Sequence, residues 1–442
     1  MSRKQTILKG TFILTLTGII SRIMGFFYRI FLSQTFGESG IGLYQLIFPI
    51  YALAFSFSSA GIELALSRCV SKYLTLGNQK KAKEMLYTSI IISMTLSIFC
   101  TLFLQRYAYS IAQGYLRNLE TVELLLILSY TFPFASLHSC IVGYYLGMKR
   151  TKIASISQLF EQAARILSVL VLFKFSSVFQ FNFSISFAVV GLVFGELSSA
   201  VFCLKSLKSF SESFRTSDIS LHRFYKCSIE LLSLSLPVTG SRVLLNILQS
   251  IEAVSIPLSL KRYGLNTNEA LSVYGVLTGM ALPFILFPSA ITNAVSTMLL
   301  PTVSEVHVLK DNSTLIMLFK KTFLSCTLLG SLCCILFLLS GNFAGDLLFE
   351  SSLAGEFIVT LAWICPFLYT NNTLISIING MGKTIVSFFI NVLSLSIRIF
   401  SVFQFIPSSG IYGYLIGLLL SQLFTFGCCL LFLFKQFKAK VT

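Results

Sequence analysis

Charge is scarce in this sequence. Among 442 residues there are 17 Asp and Glu and 33 Lys and Arg, 11% in all. Soluble domains carry about a quarter, so an ordinary water-soluble fold is excluded. Ten-residue segments of alternating polarity are missing too, which excludes a transmembrane barrel. The eleven cysteines contain no CxxC; they lie mainly inside apolar runs, with adjacent pairs at 333–334 and 428–429. They read as small apolar residues, implying neither a disulfide framework nor a metal site. Three scattered histidines, His138, His222 and His307, point to no ligand cluster. There is no P-loop, no GxSxG and no His–carboxylate cluster in a loop, so neither direct ATP coupling nor catalysis is expected. The polar segments are too short to fold into a soluble catalytic domain.

What is present is apolar sequence: 55% of residues, at a mean hydropathy of +0.83. Twelve runs are long enough to cross a bilayer as helices: 11–33, 41–66, 86–104, 121–146, 153–173, 184–204, 229–258, 271–298, 315–340, 353–379, 384–406 and 410–434. The fold class is therefore an all-α polytopic membrane protein. The basic N-terminus "MSRKQTILKG" precedes a run that contains arginines and lacks a small-residue cleavage site, so it reads as a retained first span. With both termini inside, 23 of the 33 Lys and Arg fall in cytoplasmic segments and only five near outer loops. That asymmetry obeys the positive-inside rule. The net charge of +16 then reflects topology and anionic lipid, with no nucleic-acid partner.

The longest polar segment separates six spans from six. It gives an N-terminal lobe (1–204), a cytoplasmic linker (205–228) and a C-terminal lobe (229–442). Across the halves "LGMKRT" (146–151) faces "NGMGKT" (379–384). At the same offset of 233, Pro133 and Phe134 meet Pro366 and Phe367, and Arg165 meets Arg398. Earlier, "SR" at 21–22 matches "SR" at 241–242, and Tyr44 matches Tyr274. Six being even, the copies enter the membrane in the same direction as parallel repeats, an architecture in which substrate binds between the halves near mid-bilayer.

Five arginines lie inside spans: Arg22, Arg29, Arg165, Arg242 and Arg398. A guanidinium in hydrocarbon costs at least a few kcal/mol, so each needs a reason. Gly18, Arg22, Gly25 and Arg29 form one stripe, the arginines about 10 Å apart along the axis, with glycines leaving room for a bulky ligand. The corresponding helix carries Arg242, Thr239, Asn246 and Gln249. A cationic cleft lined by Arg22, Arg29, Arg242, Asn246, Gln249 and Arg398 suits a phosphate-bearing solute. Glu161 lies four residues before Arg165 and reads as its structural partner; Arg68 and Glu63 read as a second local pair. Glu252 and Glu196, the other deep acids, serve to neutralise arginines or to hold a coupling H⁺ or Na⁺.

The stretch "LKGTFILTLTGIISRIMGFFYRIFLSQTFGESGIGLYQLIFP" with "ALSRCVSKY" resembles the start of the stage V sporulation protein B family. So do "LSLPVTGSRVLLNILQSIEAVSIP" and "YGVLTGMALPFILFPSAITNAVSTMLLPTVSE" in the second half. That family belongs to the multidrug/oligosaccharidyl-lipid/polysaccharide exporter superfamily. The resemblance implies a MATE-like fold of two six-helix bundles, a cationic central cavity, and flipping of undecaprenyl-diphosphate-linked saccharides for cortex, wall or surface polysaccharide. "SRIMGF" also looks like the signature of lipid II flippases in which the arginine lines the cavity, a role that falls on Arg22; Tyr28 and Arg29 stand where those flippases carry an Arg-Asp pair. The expected partners are the lipid-linked oligosaccharide and membrane lipid, the chain is read as a monomer, and no cofactor is implied beyond Na⁺, H⁺ or the membrane potential. Two other readings compete: a cation-coupled multidrug exporter, which calls for an acidic or apolar cavity, and a membrane glycosyltransferase, which calls for catalytic carboxylates.

Overall fold

The computed structural model describes residues 3–179, 183–210, 221–309 and 311–438, and among these there is no strand. In chain order the helices are α1 (Arg3–Phe55), α2 (Gly61–Thr75), α3 (Gln79–Ser110), α4 (Thr121–Ser129), α5 (Thr131–Gly147), α6 (Thr151–Phe179) and α7 (Ser186–Phe210). They continue as α8 (Leu221–Tyr263), α9 (Thr267–Gly275), α10 (Leu282–Leu286), α11 (Ser289–Val308), α12 (Asn312–Phe349), α13 (Ser352–Ala362), α14 (Cys365–Gly380), α15 (Thr384–Gln404), α16 (Ile406–Ser409) and α17 (Ile411–Lys438). Wider π turns interrupt the helices at Ser56–Ala60, Ile111–Leu116 and Val276–Ala281. The stretch expected to join the lobes, 205–228, is helical up to Phe210 and again from Leu221; its middle, 211–220, lies outside the described residues.

By length and hydropathy, nine helices among the described residues can cross a membrane, or eleven when each of two bent pairs counts as one span. The first of the nine takes in 64 residues, Phe12–Thr75. At 1.5 Å per residue a straight helix of that size would be roughly 95 Å long, three times a bilayer core of about 30 Å. Gly37 divides it, with φ 67° and ψ −176°, a conformation nearly closed to any residue bearing a Cβ.

The bent pairs have one cause. Pro133 stands at the third residue of α5 and Pro366 at the second of α14, just past breaks of 40° and 59°. Proline lacks the N–H that would continue the preceding helix, and its ring clashes with the carbonyl four residues back. The duplicated proline thus becomes a duplicated bend. Turns repeat as well. Positive φ occurs at Arg117 (51°) and Lys149 (61°), and 233 residues later at Glu350 (53°) and Gly382 (78°). The closing hydrogen bonds match: Lys149 N to Leu146 O and Arg150 N to Tyr145 O correspond to Gly382 N to Asn379 O and Lys383 N to Ile378 O. The left-handed closure of the helix end therefore recurs at the same place in both halves, in Lys149 as in Gly382.

Helix starts follow local chemistry. Asn78 accepts from Lys81 N, Ser351 from Ala354 N, and Asn266 with Glu269 makes a reciprocal capping box. Before α12, the Thr314 hydroxyl and backbone N–H, with the Ser313 hydroxyl, hold the Asp311 carboxyl down at about 2, so this cap stays charged at neutral pH.

The chain folds into two compact units, Met1–Gly25 with Leu46–Ile247 and Phe26–Gln45 with Leu248–Thr442, so that α1 and α8 each contribute to both. In the first unit, small hydroxyl residues are buried while large apolar ones face outward. Ser59 bonds Ser136 at 2.6 Å and Ser93 donates to Ser58 O at 2.7 Å, whereas Phe12 and Phe99 are about 60% exposed. The second unit shows the same pattern at Leu339, 82% exposed. This inside-out distribution is the signature of a lipid-embedded surface.

Gly37→Ala should cost about 1–3 kcal/mol, because the added Cβ cannot occupy that backbone region without strain. Thermal unfolding of the purified protein in detergent should show a clear fall in Tm. An unchanged Tm would mean that α1 does not break at this residue.

Candidate functional site

The five arginines within the apolar helices divide into kinds. Arg165 and Glu161, one helical turn apart on α6, are bonded to each other, as their spacing predicts. Arg398 on α15 is also paired: its Nε lies 2.6 Å from Glu252 Oε1 on α8. Tyr414 on α17 donates to the same carboxylate at 2.8 Å and accepts from Arg398 at 3.3 Å. Glu252 is almost wholly enclosed, and this closed triangle satisfies it. Arg398 was expected to find its partner on another helix or in the solute, and Glu252 to balance an arginine; the structure pairs the two. The second unit therefore contains its own answer to the cost of the charge.

Arg22 and Arg242 differ. Both belong to the first unit, both are exposed, and among the described residues neither has a carboxylate within ion-pair distance. Arg242 donates one N–H to Ala60 O at 3.3 Å, at the end of the π turn Ser56–Ala60. One turn on, Asn246 donates to Ala52 O at 3.2 Å and to Ser56 Oγ at 2.5 Å. The polar stripe of α8 therefore anchors that helix to the irregular backbone of its own unit. Close approach is possible because residue 61 is glycine: a Cβ there would fall 1.9 Å from Thr239 Oγ1 and 2.9 Å from Ser235 O. Asn246, expected to meet a ligand, has its amide nitrogen committed to the scaffold. Gln249 is exposed but belongs to the second unit, as does the half-buried Arg29.

The glycines beside Arg22 behave unequally. A Cβ on Gly18 would meet nothing within 4 Å, so that side of the stripe is open. On Gly25 it would lie 3.1 Å from Gln162 Nε2, so the room expected there is taken by α6. The expected Arg68–Glu63 pair is not formed. Glu63 accepts from Ser139 Oγ at 2.8 Å, since residues five apart on a helix point in divergent directions.

Glu196 on α7 is nearly fully enclosed. It accepts from the Tyr51 hydroxyl at 3.1 Å and faces His138 Nδ1 at 3.3 Å. No role was assigned to His138 from the sequence, because a lone histidine in an apolar run gives no sign of what its neighbours on other helices will be. Arg165 already holds Glu161, so His138, Glu161 and Glu196, though close together, are not a free set of metal ligands. An open surface depression of about 700 Å³ lies in the second unit, lined by Glu38, Asn266, Asn268, Glu269 and Ser272 among others.

Exposed arginines on membrane helices, with no carboxylate in ion-pair distance among the described residues, can bind an anion. Residues 7–307 match the family model described as polysaccharide biosynthesis protein. The chain belongs to that family. Stage V sporulation protein B of Bacillus subtilis (strain 168) is 29% identical over 424 residues, covering 93% of this chain and 80% of that protein. The lipid II flippase MurJ of the same organism is 28% identical over 172 residues, 37% of this chain and 32% of its own. Among solved structures, an inward-facing multidrug resistance MATE family transporter of the MOP superfamily superposes with a TM-score of 0.75 at 14% identity, covering 95% of both chains. A MOP superfamily transporter from Pyrococcus furiosus, described as having a binding pocket of reverse polarity, gives 0.72 at 14% over 100% and 99%. The fold is that of a MOP transporter. This is a multi-pass bacterial membrane protein of the polysaccharide biosynthesis family.

Removing one partner of the Glu252–Arg398 pair strands a charge. Arg398 is about a quarter exposed, so Glu252→Gln should destabilise by about 2–3 kcal/mol rather than the full value of a sealed pair. Glu252→Gln combined with Arg398→Met should cost less than the two changes summed. Thermal unfolding of the four proteins measures this; additive losses would show that the two side chains are not coupled.

Proposed function

We propose that this protein is a flippase for polyprenyl-diphosphate-linked saccharide, with twelve spans and both termini in the cytoplasm. One observation carries the reading: Arg22 and Arg242 are exposed guanidiniums on apolar helices of one unit, and among the described residues no carboxylate lies within ion-pair distance of either. Carrying such charges into a membrane is intelligible if the missing anion is the cargo. A diphosphate supplies it, since each guanidinium offers two parallel N–H groups to phosphate oxygens. The relatives named for lipid II flipping and for sporulation point to a lipid-linked saccharide as the molecule bearing that diphosphate.

The positive-inside distribution supports a cytoplasmic location for the basic loops, and with them the loading step. The saccharide head would be drawn from the inner leaflet by the arginines while the polyprenyl chain stays in lipid. A transmembrane potential positive outside then favours outward movement of the anion, by about 2.3 kcal/mol per charge per 100 mV. A drug exporter for organic cations would repel its cargo from the same side chains.

Arg22→Ala should reduce flipping of a fluorescent polyprenyl-diphosphate saccharide in reconstituted vesicles at least tenfold, with folded protein recovered at wild-type yield. Arg22→Lys should restore part of the rate by keeping the charge. Wild-type flipping by Arg22→Ala would remove the assignment.

A further inference from the structure

One buried cluster in the first unit has no part in this anion chemistry: His138 on α5, Glu196 on α7, Ser157, Glu161 and Arg165 on α6, and Tyr51 on α1. Ser157 Oγ lies 2.9 Å from Ala154 O and 3.1 Å from His138 Nε2, and its one hydrogen can be given to either. Nδ1 faces Glu196 Oε2 at 3.3 Å, where two lone pairs would repel, so a hydrogen sits between these atoms. It does not come from Tyr51, whose hydroxyl is donated to the other carboxylate oxygen, Oε1, at 3.1 Å.

Charge leads to the same place. Glu161 and Arg165 cancel, leaving Glu196 as one negative charge in a nearly sealed site. One proton on the His138–Glu196 pair restores neutrality; its loss exposes an unbalanced carboxylate inside the membrane. The remaining ionisable group acting on His138 is Glu63 on α2, which is itself held by Ser139 and opposed by Arg242.

We propose that the His138–Glu196 pair is the proton-binding site of a proton-coupled transport cycle, a role that rests on the transporter reading above. A physical route joins it to α1. Gln162 Oε1 accepts from Arg165 Nη1 at 3.4 Å, and Gln162 Nε2 packs against Gly25, one turn from Arg22. When the proton leaves, Arg165 is drawn toward the bare Glu196, and Gln162, bonded to Arg165, moves with it against the helix that carries Arg22. Proton release and anion handling are coupled by that displacement.

The test uses the full chain labelled with ¹⁵N-histidine, in detergent and in proteoliposomes. With three histidines, His138→Gln assigns the ring signal of His138. At neutral pH the wild type should show the doubly protonated ring, and Glu196→Gln should convert it to a neutral tautomer at the same pH. An unchanged neutral ring from pH 5 to 9 in the wild type would overturn the proposal. So would a signal that responds to added Na⁺ and not to pH, which would make the site a sodium site. In proteoliposomes containing labelled polyprenyl-diphosphate saccharide, a pH gradient should change the flipping rate several-fold, and His138→Gln should abolish that dependence. Flipping with an unaltered pH response in His138→Gln would sink the coupling alone. Absence of flipping in the wild type would count against the substrate, while the ring titration would still decide the proton site.

Discussion

A charge buried in a membrane helix has to be balanced by something, and nearly everything distinctive about this protein follows from how its arginines meet that demand. Two are balanced within their own unit: Arg165 by Glu161 and Arg398 by Glu252 with Tyr414. Two others, Arg22 and Arg242, are left exposed and have no carboxylate beside them among the described residues. The first kind holds helices together. The second kind is what the proposed anionic cargo requires, since one fold can host sites of opposite charge.

Irregular backbone marks the same region. The π turn Ser56–Ala60 brings carbonyl and hydroxyl groups to the surface of α1 and α2, and Arg242 and Asn246 engage them. Around Gly61 the packing is too close for any side chain. Such a junction is fixed by hydrogen bonds rather than by apolar packing, which has little driving force between helices in lipid. Arg242 is thereby oriented by one N–H of its guanidinium.

Local regularities were legible in the sequence and long-range meetings were not. The prolines matched at 133 and 366 as signs of a duplication stand at the two bends, and the matched "LGMKRT" and "NGMGKT" stand at turns closed in the same way. Glu161 and Arg165 could be paired because helical spacing decides which neighbours on one helix touch. Glu252 and Arg398 lie 146 residues apart, and no periodicity tells which helices will face each other. His138 was passed over for that reason, and Gly25 was read as empty space because Gln162 approaches it from another helix.

The division of the arginines is most directly tested by ligand binding rather than transport. Native mass spectrometry of the purified protein with undecaprenyl diphosphate should show one tightly held lipid in the wild type. Arg22→Ala with Arg242→Ala should lose it, while Arg398→Met with Glu252→Met should retain it. Retention by the first pair, or equal loss by both, would contradict the view that the unpaired arginines receive the diphosphate.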